Sequence, residues 1–190
     1  MKGMVFTEFL ELVERTHSAD LADQLIEECE LPSGGAYTAV GNYDHREMVR
    51  LLTALHRHTA QPVDQLLRWF GVNLYTALSK GFPGFFEGKT HAFQVLEGIE
   101  SVIHTEVRKL FPDAELPGFE VHRMRSDCLI LDYRSPRCME DLAHGLIQAC
   151  VTQFGTPIRI ERSPLAGEEP GAIRFVLTDT GDVPSAAAPV

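Results

Sequence analysis

One change of grammar, between Pro112 and Pro117, constrains this chain more than any other feature. Before it, apolar residues recur at helical spacing; after it, short runs alternate as strands do. Residues 4–16 place Phe6, Phe9, Leu10 and Val13 on one stripe, and Asp20 to Glu30 continues with Leu21, Leu25 and Ile26. The Gly-rich loop LPSGGAYTAVGNYD carries Tyr37, Val40 and Tyr43, which predict that it packs. Asp44 suits the N-cap of a helix through about His58, and Pro62 opens another in PVDQLLRWFGVNLYTALSKG. GFPGFF predicts a turn, and Thr90 is expected to cap a helix running to Phe111, where Pro112 stops it. Beyond Pro117, FEVHRM and CLILDY predict a hairpin, and CMEDLAHGLIQACVTQF predicts a helix with Gly155 as its C-cap. IRIERS and AIRFVLTD predict a second strand pair, and the last ten residues a frayed tail. The layout is α+β, with helices in front and an antiparallel sheet with a packed helix behind.

Composition narrows the function. The 190 residues are 44% hydrophobic and 23% charged, enough for a sizeable core and too apolar for wholesale disorder. A net charge of −10 repels phosphate backbones, so nucleic acid is not an expected partner. No run approaches the roughly 20 apolar residues of a membrane helix, so no membrane insertion is expected. The start MKGMVFTEFLELVERTH meets Glu8 and Glu11 before any long apolar run and does not read as a signal peptide. Cys29, Cys128, Cys138 and Cys150 are scattered, with no CxxC, and read as thiols in a reducing compartment. A cytoplasmic protein is the expectation.

Two features could carry chemistry. None of the eight histidines forms HxxxH, HExxH or a Cys/His cluster, so a multi-ligand zinc site finds no support. On a wheel centred at Ile103, Ile99, Val107 and Leu110 fall within ~40°, and His104 and Phe111 sit at the arc's edge. That is where a single axial haem ligand must stand, one neutral imidazole nitrogen facing a dry pocket. It is equally where a half-buried structural histidine stands. The second feature is Tyr133-Arg134-Ser135-Pro136-Arg137. In an extended chain Tyr133, Ser135 and Arg137 share a side, presenting a phenol, a hydroxyl and a planar guanidinium suited to a carboxylate. The same alternation also occurs as plain surface decoration.

With these residues the chain resembles the H-NOX domains, haem sensors of nitric oxide and oxygen related to the haem domain of soluble guanylate cyclase. The resemblance spans about residues 1–180 and rests on the MKG start, LLRWFG, FPGFF, IHTEVRKLFPDAELPGFEV, YRSPR and DLAHGLIQA. It implies one haem-binding domain over 1–180, with a helical part over about 1–60 and haem-cradling helices and sheet over about 61–180. It implies haem b, iron protoporphyrin IX, with His104 as axial ligand, Tyr133, Ser135 and Arg137 on the propionates, and Pro117 packed on the porphyrin. Where oxygen-binding relatives place a tyrosine, the matching position is Leu142. The other pocket walls match Val5, Phe9, Leu74, Leu78 and Leu146, all apolar.

The activity so implied is sensing, not catalysis. NO and CO would bind without a distal donor, while O₂ would lose one. NO would weaken the iron bond to His104, the porphyrin would relax against Pro117 and the helices around Val5 and Phe9, and a separate protein would read the change. By resemblance that partner is a histidine kinase or a cyclic-di-GMP enzyme. Residues 156–190 hold neither Cys nor His, so the zinc cluster of some relatives is expected to be absent, and Cys138 and Cys150 are expected to be packing residues. The alternatives are a haem-free or thiol-based redox or interaction module on the same fold, an O₂-binding haem protein, and a haem enzyme.

Overall fold

A computed structural model describes residues 1–181. Caps written in the sequence set most helix boundaries. Helix α1 spans Gly3–Thr16. Ser18 Oγ accepts from the Leu21 N–H to start α2, Ala19–Glu28, and the Asp44 carboxylate accepts from the Arg46 N–H to start α3, His45–Thr59. Pro62 precedes α4, Val63–Gly81, and its carbonyl accepts from the Leu66 N–H. Pro83–Phe85 forms a 3₁₀ turn within GFPGFF. Of the predicted tail, residues 182–190 lie outside the described residues.

The stretch 90–111 corrects the expectation twice. Helix α5, Ala92–Leu96, is capped by His91, whose Nδ1 accepts from the Phe93 N–H at 3.1 Å, while the Thr90 N–H donates to Gln94. The helix then breaks. Ile99–His104 is π-helical, with the Ile103 N–H donating to Gly98 five residues back, and α6 resumes over Thr105–Leu110. A π turn takes in one residue more than an α turn, so a wheel advanced at the α-helical angle loses register there. Leu110, near the centre of the predicted apolar arc, is 58% exposed, while Ile103, His104 and Val107 are half-buried.

Both predicted hairpins form. Strands β1, Gly118–Arg125, β2, Cys128–Arg134, β3, Ile158–Pro164, and β4, Ala172–Asp179, make one antiparallel sheet in the order β1-β2-β4-β3. Leu129, Leu131 and Tyr133 of β2 and Phe175 and Leu177 of β4 are buried with Ile147 and Cys150 of α7, Glu140–Phe154. Asp132 points the other way, as alternation requires, and its cross-strand neighbour Arg174 pairs with both carboxylate oxygens at 2.7 and 2.6 Å. Helix α7 ends on Gly155 at φ +64°, the left-handed conformation glycine adopts without penalty.

Phe9 belongs to the helical core, fully buried and edge-on to Phe70 at 5.2 Å between ring centres. Cys150 is buried as expected, but Cys138 is exposed at φ +49°; all four cysteines are free. Lys2 Nζ pairs with Asp113 at 2.6 Å, and the Asn42 amide bonds the same carboxylate, which ties the 111–117 linker to the helical front. Among the described residues no helix is long and apolar enough to cross a membrane.

The helical and sheet cores meet across α4 and α7, where Leu146 packs against both. These helices touch backbone to backbone. A Cβ on Gly145 would stand 2.2 Å from the Arg68 carbonyl oxygen and 2.9 Å from Gly71 Cα. Because neither obstacle is a flexible side chain, Gly145→Ala should lower stability by roughly 1–3 kcal/mol. Thermal unfolding measures it, and an unshifted midpoint would contradict the close approach.

Candidate functional site

His104 is the last residue of the π-helical turn, and one carboxylate fixes its ring. His104 Nδ1 lies 2.7 Å from Glu100 Oε1. The Phe119 N–H at the start of β1 donates to the same oxygen at 3.2 Å, and Arg108 donates to Oε2 at 3.3 Å. Glu100 thus joins the π turn, α6 and the sheet at one point. Burial pushes the His104 imidazole below the usual histidine range, against the opposing pull of Glu100. Burial alone would raise the Glu100 carboxyl, but hydrogen bonds from His104, Arg108 and the Phe119 amide bring it below the usual range. The result is a neutral ring with its proton on Nδ1, facing the carboxylate. Nε2 keeps its lone pair and, among the described residues, has no hydrogen-bond partner.

Two adjoining cavities meet at this ring. One, of about 270 Å³, is walled by Val5, Leu74, Leu78, Ile103, His104 and Leu146 among others. The second, of about 230 Å³, shares Val5, Leu74, His104 and Leu146 and adds Leu142, Pro117, Tyr133, Ser135 and Arg137. Every site residue expected from the sequence therefore lines the chamber except Phe9, which lies in the helical core and lines neither cavity.

Strand register brings the polar trio to Pro117. Phe119 pairs with Tyr133 and Gly118 with Arg134, so Pro117 and Ser135 leave the ladder at the same end. Tyr133 is buried, which pushes its phenol up to about 12 and keeps it a neutral donor. Ser135 Oγ accepts from the Arg137 N–H at 3.3 Å. The Arg137 guanidinium donates to the Glu115 carbonyl at 2.8 Å and to its carboxylate at 2.5 Å. Arg137 of the trio thus already holds one carboxylate of the chain itself. An apolar chamber, an imidazole with one unpartnered nitrogen, and donors for carboxylates at the mouth fit a haem: His104 for the iron, the trio for the propionates. Glu120, His122 and Asp132 also cluster, but Arg134 and Arg174 pair with the two carboxylates, a poor setting for a cation.

Sequence reasoning missed Glu100 and Tyr75. Glu100 stands four residues before His104, a spacing that invites an ion pair, but the wheel weighed only apolar neighbours. Tyr75 lines the larger cavity from α4, 8% exposed, edge-on to Phe86 at 5.5 Å. Its hydroxyl is buried without a hydrogen-bond partner, which costs about 1–3 kcal/mol. Burial holds its acidity far below that of free tyrosine, so it stays protonated. Its neighbour Cys150, pushed up to about 11 by burial, is an unreactive thiol. The signal was present: Tyr75 follows Leu74 and precedes Leu78 by three, on the face the apolar residues define.

At pH 7 nitrogen NMR should find His104 as the neutral Nδ1–H tautomer, with the imidazolium appearing only at a more acidic pH than for an ordinary histidine. Glu100→Ala should let both tautomers populate. A single unchanged tautomer in that variant would mean that Glu100 does not orient the ring.

A family model described as Haem-NO-binding matches residues 2–162. An unliganded Fe(II) H-NOX protein from K. algicida is 33% identical, over 96% of this chain and 98% of that one, with a TM-score of 0.89. The IWP-051-bound H-NOX from Shewanella woodyi, in the Fe(II)CO state, is 37% identical over 100% of this chain and 98% of that one, with a TM-score of 0.82. An H-NOX protein from S. oneidensis in the Fe(II)NO state shares the fold at 21% identity, with 93% and 98% coverage and a TM-score of 0.85. No curated protein matched the chain. The α+β expectation agrees with these structures.

Proposed function

This chain belongs to the Haem-NO-binding, or H-NOX, family of haem-based gas sensors, and from that premise we propose that it is a nitric oxide sensor that discriminates against O₂. The observation that carries the reading is His104, its Nδ1 fixed by Glu100 and its Nε2 unpartnered where the two cavities meet. Haem b, when bound, would supply an iron able to take diatomic gases, and His104 is the residue that would hold it. Tyr133, Ser135 and Arg137 hold the propionates, Arg137 exchanging the Glu115 carboxylate for one of them. Pro117, with its fixed φ, lines the cavity and would pack against the bound group without yielding. Residues 1–180 act as one unit in this reading.

Glu100 routes the signal. Any displacement of the His104 ring pulls on the carboxylate that also holds Arg108 and the Phe119 amide, so it reaches α6 and β1 together. The linker beyond α6 is fastened to Lys2 and Asn42, which carries the movement to the helical front. A separate protein, a histidine kinase or a cyclic-di-GMP enzyme, reads that surface. Differential affinity of the partner for the two arrangements is all that signalling requires.

Leu142 supplies the discrimination. It faces the chamber from α7 with no donor, where a hydroxyl would be worth roughly 1.5–3 kcal/mol to a partly charged acceptor, about ten- to a hundredfold in affinity. NO and CO need that bond far less. Visible spectra of the reduced, haem-loaded protein under argon, air and NO test the reading: a spectrum that ignores air and changes on NO supports it. A stable air adduct would move the protein to the O₂-binding branch. His104→Ala should remove axial ligation and change the ferrous spectrum, and an unchanged spectrum would reassign the ligand. Leu142→Tyr should raise O₂ affinity about ten- to a hundredfold.

A further inference from the structure

The sheet has two edges, and only one of them is blunted. At the β1 edge the Phe119 N–H donates to Glu100, and the ladder shifts at an irregularity between Arg123 and Arg125. Both devices discourage further pairing. The β3 edge has neither. Its ladder with β4 runs without a shift from Ile158 to Pro164, and among the described residues no strand pairs with its other side. Bonds at the two ends give the phase of that ladder: the Leu165 N–H donates to Ala172 and the Thr180 N–H to Pro157. Odd-numbered residues of β3 therefore bond β4, and the N–H and C=O of Ile160 and Arg162 point outward, away from the sheet.

Arg159 and Glu161 flank Ile160, both exposed, with Nε 3.5 Å from the carboxylate. When two β3 strands lie antiparallel with Ile160 opposite its own copy, each Ile160 exchanges both backbone bonds with its counterpart, and each Arg162 N–H meets an Ile158 carbonyl. Arg159 then falls directly across from Glu161 of the other strand, twice over, at the closely spaced positions where side chains meet. The pairs within the strands and between them close into one ring of alternating charge. A register centred on Glu161 would oppose two carboxylates. One centred on Arg162 would oppose two guanidiniums and set Pro164, which has no N–H, against Ile160. The charge pattern selects a single register.

We propose that the β3 edge is a self-association surface whose occupant is β3 of a second copy of this chain, the two sheets joining into one across a two-fold axis at Ile160. The inference is independent of the haem reading. Arg162 Nη1 donates to Asp141 at 2.5 Å, the residue before Leu142, so the interface adjoins the helix that walls the chamber.

Sedimentation of the full chain under reducing conditions, which removes any disulfide through exposed Cys138, reads the association. Wild type should dimerise as concentration rises, and the Ile160 and Arg162 amides should gain protection from hydrogen exchange as it does. Arg159→Glu and Glu161→Arg each turn two attractive pairs into repulsive ones and should weaken the dimer about tenfold or more. The two side chains are 62% and 60% exposed, so neither substitution disturbs the core. An equimolar mixture of the two variants restores both cross-strand pairs and should dimerise as wild type does, although each variant has lost the pair within its own strand. A chain that stays monomeric to millimolar concentration would overturn the proposal. A dimer indifferent to both substitutions would place the interface elsewhere and overturn it too, as would variants that weaken the dimer and fail to recover on mixing.

Discussion

Two helices without side chains at their crossing hold the architecture together. Gly71 and Gly145 let α4 and α7 approach until backbone meets backbone, and the helical core lies on one side and the sheet core on the other. That wall supplies Leu74, Tyr75 and Leu78 from one helix and Leu142 and Leu146 from the other to the same chamber. Larger residues at the crossing would separate the helices and widen the space the ligand needs. The shape of the chamber and the stability of the fold therefore rest on one close contact.

The second dependence is electrostatic. A single carboxylate, Glu100, accepts from a histidine, an arginine and a strand amide, and its position on a π turn makes the triple contact reachable. In a regular α-helix His104 would follow Glu100 by little more than one turn. The wider turn changes the angle between the two, and π turns of this kind are frequent at functional sites. The half-buried imidazole is oriented by a partner that is itself anchored to two other elements. A ring held in that way cannot move alone.

How far the sequence disclosed this varies residue by residue. Asp44 and Gly155 announced helix ends because a cap is a local event, complete within four residues. The alternation in Tyr133-Arg134-Ser135-Pro136-Arg137 suggested three donors on one side; the strand in fact ends at Arg134, and it is the turn over Pro136 and Arg137 that brings all three to the same cavity. The family resemblance located His104 and Leu142. The π turn was not legible, because its bonding pattern depends on how the segment packs against β1 and not on the spacing of its apolar residues. The misplacement of Leu110 follows from that one omission. His91 took the cap expected of Thr90, since an imidazole nitrogen accepts from an amide as a hydroxyl does. Tyr75 went unnoticed because a tyrosine on an apolar helix face reads as core. Only the structure shows that its ring lines the cavity beside Cys150.

Arg137 carries one more consequence. Its side chain is 13% exposed, whereas that of Glu115, the carboxylate it holds, is 82% exposed. A guanidinium so enclosed would be costly to leave unpaired, yet its present partner is tethered at the rim and gives up little on returning to water. Entry of an acidic ligand there would be a substitution, one carboxylate leaving as another arrives, so that the enclosed cation would never stand alone. The displaced Glu115 stays within reach on its own backbone, ready to reclaim the site. The chain thereby carries its own exchangeable counter-ion, a leaving group that travels nowhere.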